Sequence, residues 1–270
     1  MISSVTICLV PEVKGGPFVF SGDLPGSIRK ASALGFDAVE IFAPGPEAFD
    51  PTSLRGWLKE SRLTLSAMGT GAGWIRHKWS LTSPDAAIRQ QAEDFIRAMI
   101  DTAADFGAPA IIGSMQGHWG DDVSRETALG YLREGLNRLG RHASEKGVPL
   151  LYEPLNRYES NLLNTLADTA DFLKTLATDN VKILADLFHM NIEEVDIAAA
   201  IRGGKGLIGH VHFVDSNRRP AGLGHLDFTA IAKALRDIGY NQSLSAEALA
   251  YPDPAAAAAQ TIAAYRRFFA

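Results

Sequence analysis

Eight short apolar runs recur along the chain, and a longer amphipathic stretch separates most of them from the next. The runs are Val5–Val10, Ala38–Phe42, Leu63–Met68, Pro109–Gly113, Pro149–Glu153, Val181–Asp186, Ile208–Phe213 and Ser243–Ala246. Each is bounded by turn residues or charge, as strands buried on both faces of a parallel sheet should be. Four are entered by one repeated phrase, a helix end, a glycine, then a strand: LGFDAVEI (Leu34–Ile41), FGAPAII (Phe106–Ile112), KGVPLLYE (Lys146–Glu153) and IGYNQSLSAE (Ile238–Glu247). Glycine supplies the left-handed residue that turns a helix back toward the next strand. Eight units in 270 residues average about 34 residues each, which fits a closed barrel better than an open doubly wound sheet. The fold class expected is α/β, a single (β/α)8 TIM barrel, with residues 1–270 forming one domain. No linker or low-complexity tract interrupts it.

The intervening segments read as helices. Ser83 is expected as an N-cap with Pro84 at the first helical position and Asp85 near the positive helix end. Ile88, Ala92, Phe95, Ile96 and Met99 then recur at helical spacing until Gly107. Leu129, Leu132, Leu136 and Leu139 mark a second helix, Leu166–Leu176 and Phe228–Ile238 two more, and Ala255–Ala259 begins the last. A chain of this length buries enough surface to fold without a disulfide or a structural metal. The lone cysteine, Cys8, reads as a small buried strand residue and suits a reducing compartment. The net charge of −5 argues against a nucleic-acid partner. No apolar stretch reaches the ~20 residues of a membrane span. Val5–Val10 has no basic segment before it, so no signal peptide is expected and a cytoplasmic protein is.

Barrel enzymes place their catalytic residues at the C-terminal ends of strands and in the loops that follow. Glu153, Asp186, His212 and Glu247 end the fifth to eighth runs, at separations of 33, 26 and 35 residues. Four neighbouring strands would thus bring one polar group each to the same mouth. Three carboxylates and an imidazole suit a hard or borderline divalent ion such as Mn²⁺, Mg²⁺ or Co²⁺, and without a cation they would raise each other's pKa. Strand-end caps and salt bridges are the structural alternative, weaker for four in phase than for any one alone.

His210 shares a strand face with His212 and reads as a supporting or core residue. His189 falls in the loop above the sixth strand, where it could touch substrate. His77, His118 and His225 read as loop-packing or solvated residues and His142 as structural, on a helix. Phe18, Phe20, Trp74, Trp79 and Trp119 collect in the mouth, where they either wall a pocket or pack the loops. Trp57 belongs to the outer layer. Gly69–Gly71, Gly203-Gly204 and Gly222–Gly224 lack phosphate-loop spacing and read as turns.

The stretches EPLNRYESNLLNT (Glu153–Thr165), ADLFHMNIEE (Ala185–Glu194) and GHVHFVDSNRRPAGLGHLDF (Gly209–Phe228) resemble the ketose 3-epimerases of the D-tagatose/D-psicose 3-epimerase type, in the xylose-isomerase-like sugar isomerase/epimerase superfamily. The likeness is close over Leu151–Glu247 and thinner before it. It implies a (β/α)8 barrel holding one Mn²⁺ or Co²⁺ ion, with Glu153, Asp186, His212 and Glu247 as ligands. It further implies Glu153 and Glu247 as the acid/base pair, and Glu159, His189 and Arg218 as contacts to the carbonyl end of the sugar. The first-strand loop TICLVPEVKGGPFVF, the third-strand loop GTGAGWIRHKWS and Ala248 depart from that pattern, at the far end of the substrate.

The expected activity is metal-dependent epimerisation or isomerisation of a ketose-like sugar through an enediolate, Mn²⁺ foremost. One alternative is a lyase or dehydratase acting on a 3-keto sugar or inosose through the same site. Another is a non-catalytic sugar-binding barrel, which would need no paired glutamates. The partner expected is a small-molecule sugar; a homo-oligomer, dimer or tetramer, is left open. After the eighth strand, Ala248–Asp253 carries no basic residue, so a non-phosphorylated substrate is expected.

Overall fold

The first strand begins among hydroxyls, not among apolar residues. Ser3, Ser4 and Thr6 are buried, and each finds a partner across the sheet. Ser3 Oγ donates to Asp37 at 2.7 Å, the Ser4 and Ser66 hydroxyls pair at 2.7 Å, and Thr6 Oγ1 donates to the Ala246 carbonyl at 2.8 Å. The strand therefore starts at Ile2, three residues before the apolar run. The computed structural model describes residues 1–120 and 122–269. Its strands are β1 (Ile2–Cys8), β2 (Phe20–Ser21), β3 (Ala38–Phe42), β4 (Thr64–Gly69), β5 (Ala110–Ile112), β6 (Leu150–Tyr152), β7 (Val181–Asp186), β8 (Ile208–His212) and β9 (Ser243–Ala246).

All pairings among them are parallel. They run in order from β1 through β3 to β9, and β9 returns to β1 with Ile2–Val5 opposite Ser243–Ala246. Eight strands thus close a TIM barrel, as the spacing predicts. The two-residue β2 extends one rim beside β1, with Ile7 opposite Phe20.

The helices are α1 (Leu24–Leu34), α2 (Pro51–Ser61), α3 (Ala72–His77), α4 (Ala86–Ala104), α5 (Arg125–Glu145), α6 (Leu166–Leu173), α7 (Leu187–Glu193), α8 (Ile197–Gly203), α9 (Phe228–Asp237) and α10 (Pro254–Phe269). Most begin on a side-chain cap, such as Ser124 for α5, Thr165 for α6 and Asp227 for α9. The expected cap at Ser83 is corrected. Asp85 caps α4 through the Ala87 N–H at 2.8 Å, while the Ser83 hydroxyl accepts from Asp85 N–H one turn earlier. An Asp two residues closer to the first apolar position takes the role.

The main core fills the space between the barrel and its helices. Inside the barrel a separate apolar group, Ala67, Ile111, Leu151 and Leu184, comes from four adjacent strands, β4 to β7. Leu151 and Leu184 lie two residues before Glu153 and Asp186, so strand alternation aims them at the same inward face, one layer below. No described helix is long and apolar enough to cross a membrane.

That layer supports the mouth. Replacing the fully buried Leu184 by Ala should cost about 2–5 kcal/mol, read from urea unfolding followed by circular dichroism. A loss below about 1 kcal/mol would mean the barrel interior is not packed as described.

Candidate active site

Asp186 and His212 are the last residues of β7 and β8; Glu153 and Glu247 each follow their strands by one. Glu153 stays in register because its N–H donates to the Ile112 carbonyl at 3.0 Å. One ligand-competent atom from each of the four lies within 4.8 Å of the others. His212 Nδ1 is the centre, 3.0 Å from Asp186 Oδ2, 3.3 Å from Glu153 Oε1 and 3.5 Å from Glu247 Oε2. The four residues expected from strand phase are therefore brought together.

Each carboxylate is held by its local backbone. Asp186 divides its oxygens: Oδ1 accepts the N–H groups of Phe188 and His189 at 2.8 and 3.1 Å, capping α7, and Oδ2 faces the cluster. Glu153 needs the glycine opposite it, because a Cβ on Gly113 would lie 2.7 Å from Glu153 Oε2. Glu153 Oε1 is buried and has no hydrogen-bond partner among the described residues. A buried carboxylate oxygen without a donor is costly unless a cation meets it. That orphan, three carboxylates and one imidazole nitrogen fit a hard or borderline divalent ion. The buried cluster could hold such an ion.

The residue that the sequence reading missed is Glu40, on β3. It is buried and accepts from two histidines, His210 Nε2 at 2.8 Å and His212 Nε2 at 3.1 Å. Donation to Glu40 commits His212 Nε2 to carrying a proton, so Nδ1, 3.0 Å from Asp186 Oδ2, is the nitrogen that would ligate an ion, the arrangement that orients histidine ligands in metal sites. His210 braces the other Glu40 oxygen, which gives physical content to its expected supporting role. Burial works against the charge on Glu40, but His212 and His210 hold its carboxyl well below the usual range. A single Glu in an otherwise apolar strand, AVEIF, was the available signal.

Arg218 joins the cluster directly. Its guanidinium donates to Asp186 Oδ2 at 2.6 Å and to Glu247, and lies 4.8 Å from the Phe188 ring centroid. Burial opposes the charge on Asp186, yet Arg218, His189 and His212 keep its carboxyl far below the ordinary range. Burial pushes Glu247 up to about 8, with Glu153 and Asp186 adding like charge against the pull of His212 and Arg218. Arg218 has φ of 61°, in the left-handed region, within a turn organised by buried Asp215. The Asp215 carboxylate accepts from the N–H groups of Ser216, Gly222 and Leu226 at 2.8, 2.8 and 3.2 Å.

On the neighbouring wall, after β7, His189 is buried and its Nδ1 faces Asn156, whose backbone N–H donates to it at 3.3 Å. Nδ1 is thus the acceptor, and Nε2 carries the proton, 3.9 Å from Glu153 Oε1. Glu159, half-exposed, takes a hydrogen bond from Asn156 Nδ2 at 3.0 Å and lies 3.9 Å from His189 Nδ1. All three residues expected to contact substrate, Glu159, His189 and Arg218, line one cavity with Glu153, His212 and Glu247, of about 140 Å³.

The aromatic expectation is corrected in part. Phe18 lines this cavity, and its companion is Phe42, stacked on it at 4.8 Å between centroids. Gly69 leaves room for that ring, since a Cβ there would meet Phe42 at 2.6 Å. Phe20 is buried in the core. Trp79 stacks on His77, Trp74 meets His118 edge-on, and Trp119 donates from its indole to the Asn161 carbonyl at 2.8 Å. Those tryptophans, like Trp57 in the outer layer, pack loops and helices. His142 sits on α5 and pairs with Asp101 at 2.7 Å, as a structural residue. His225 meets Ser216 at 2.9 Å in the loop after β8.

A closed parallel barrel with this constellation at its C-terminal mouth defines a class. Residues 28–268 match the family described as xylose isomerase-like TIM barrel, and the chain belongs to it. Within that family it groups with sugar epimerases of the ketose 3-epimerase type. It is 35% identical over 224 residues to a D-psicose 3-epimerase of Agrobacterium fabrum, covering 82% of this chain and 77% of the relative. It is 32% identical over 233 residues to an L-ribulose 3-epimerase of Mesorhizobium japonicum, covering 83% and 75%. The crystal structure of D-psicose 3-epimerase from Clostridium cellulolyticum H10 with D-tagatose superposes with a TM-score of 0.84 at 26% identity, covering 99% of each chain.

Because Glu40 orients His212, Glu40→Gln should lower affinity for a divalent ion by about 10–100-fold, measured by calorimetric titration of Mn²⁺ into metal-stripped protein. Unchanged affinity would reduce Glu40 to a packing residue.

Proposed function

We propose that the protein is a manganese-dependent 3-epimerase of a ketose-type sugar. The observation that carries this reading is the convergence of two glutamates, Glu153 and Glu247, from strands three places apart in the ring, on Asp186 and His212 within 4.8 Å. Binding alone needs no such pair. Glu153, Asp186, His212 and Glu247 would hold the ion, with Mn²⁺ favoured by the oxygen-rich donor set and Co²⁺ or Mg²⁺ as alternatives. When bound, the ion supplies positive charge that stabilises the oxyanion formed as a proton leaves the carbon beside the carbonyl.

The chain's own residues do the rest. Glu153 takes the proton from C3 on one side and Glu247 returns one on the other, or the reverse, so that C3 inverts. His189 Nε2–H donates to an oxygen at the carbonyl end, and Asn156 keeps that tautomer in place. Glu159 accepts from a hydroxyl beside it. Arg218 donates toward the same end while balancing Asp186 and Glu247. Phe18, Phe42 and Leu155 wall the cavity against water. A chain with a single cysteine, buried Cys8, suits a cytoplasmic setting. A free sugar suits the mouth better than a phosphate ester, because Arg218 is already engaged and Ala248–Asp253 offers no cation.

Chelation should abolish activity and Mn²⁺ should restore it; full activity in chelator-treated protein, with metal content measured, would end the reading. Glu153→Gln and Glu247→Gln keep a ligating oxygen but lose the base, so turnover should fall about 10²–10⁴-fold with metal largely retained. Asp186→Asn should chiefly weaken metal binding and recover in excess Mn²⁺. If both glutamine variants lose activity only in proportion to lost metal, the acid and base lie elsewhere.

A further inference from the structure

A second and larger cavity adjoins the one that holds the carboxylate cluster. Its volume is about 520 Å³, against about 140 Å³ for the first. Small-molecule sites commonly span about 300–1,000 Å³ and are mostly apolar with a few polar groups. The cluster cavity alone falls below that range, and its neighbour falls within it.

The walls of the second cavity are mostly apolar, with Lys14 and Arg219 as its charged residues. Val10, Pro11 and Val13 come from the loop after β1, and Leu249 and Tyr251 from the loop after β9. Its floor is Cys8, 4% exposed, whose thiol burial keeps protonated and which donates to the Val10 carbonyl at 3.5 Å. Arg219 lies over the Tyr251 ring at 3.8 Å and closes the rim with its guanidinium face. Phe18 lines both cavities, so one aromatic ring forms the partition between them.

The ring of strands fixes which end of a substrate would enter. Three strands separate β1 from β6 in either direction around the barrel, so their loops face each other across the mouth. Asn156 and Glu159 follow β6, and His189 follows β7. A sugar with its carbonyl end against Glu159 and His189 directs its other end toward Phe18 and the cavity beyond.

We infer that this second cavity receives an apolar substituent carried by the sugar at the end remote from its carbonyl, so that the preferred substrate is an aryl- or alkyl-substituted keto sugar. This rests on the epimerase reading above. A free ketose fills the first cavity and leaves the second to water, whose displacement by an apolar group from an apolar pocket favours binding.

The test uses the Mn²⁺-loaded protein and three probes: D-fructose, its 6-O-benzyl ether and its 6-phosphate. Binding is measured by calorimetry and epimerisation by kcat/KM. The benzyl ether should bind at least tenfold more tightly than D-fructose and show at least a tenfold higher kcat/KM, with most of the gain in KM. Val13→Trp and Ser21→Trp, each filling the cavity from a different side, should bring the benzyl-to-free binding ratio down at least fivefold. Equal or weaker binding of the ether, tighter binding of the phosphate than of the ether, or a ratio unmoved in both variants would overturn the inference. Epimerisation of D-fructose with no advantage for the ether would overturn the cavity assignment and leave the epimerase reading intact. Tighter binding of the ether with epimerisation of none of the probes would uphold the cavity assignment and sink the epimerase reading.

Discussion

Four carboxylates surround one imidazole at the mouth of this barrel, and the rest of the site is arranged to make that tolerable. Glu40 holds His212 from below, while Glu153, Asp186 and Glu247 meet it from above. Like charges this close, out of water, repel strongly and cannot all remain ionised without compensation. Arg218 supplies part of it, and so do the helix N–H groups donated to Asp186. The donorless Glu153 oxygen is the atom that a cation could meet. A buried cluster of this kind could hold a divalent ion.

The barrel interior follows from the same constraint. Below the cluster, one side is filled by Ala67, Ile111, Leu151 and Leu184. The other carries Ser4, Thr6, Glu40 and His210, whose hydrogen bonds run to the adjacent strand (Thr6 to β9) or past it (Ser4 to Ser66 on β4, Glu40 on β3 to His210 on β8). Buried polar groups are acceptable only as a satisfied network, and such networks rigidify what they support. Here they fix the ring of His212, and through it the point on which the ligand-competent oxygens converge.

Much of this was legible in the sequence. Asp186, His212, Glu153 and Glu247 end strands that apolar run length alone locates, so their convergence follows from barrel geometry. The start of β1 was not legible, because Ser3, Ser4 and Thr6 are buried through partners 34, 62 and 240 residues away. Glu40 was passed over for a related reason: its partners are 170 and 172 residues distant. The aromatic wall was read from loops, whereas Phe42 sits on a strand and enters the cavity only because Gly69 beside it lacks a side chain. Arg218 was placed in the site by resemblance, and its pairing with Asp186 and Glu247 depends on the turn that Asp215 organises 29 to 32 residues away from those carboxylates in the chain.

The central claim is that the paired glutamates move a proton at the carbon beside a ketone. It is tested most directly by incubating the Mn²⁺-loaded protein with a ketohexose in deuterated water and following the sugar by proton and carbon NMR. The account predicts deuterium at C3 in both the starting sugar and its C3 epimer, with C1 unlabelled. Deuterium appearing at C1 or C2 with formation of an aldose, or loss of water from the sugar without a C3 epimer, would contradict it.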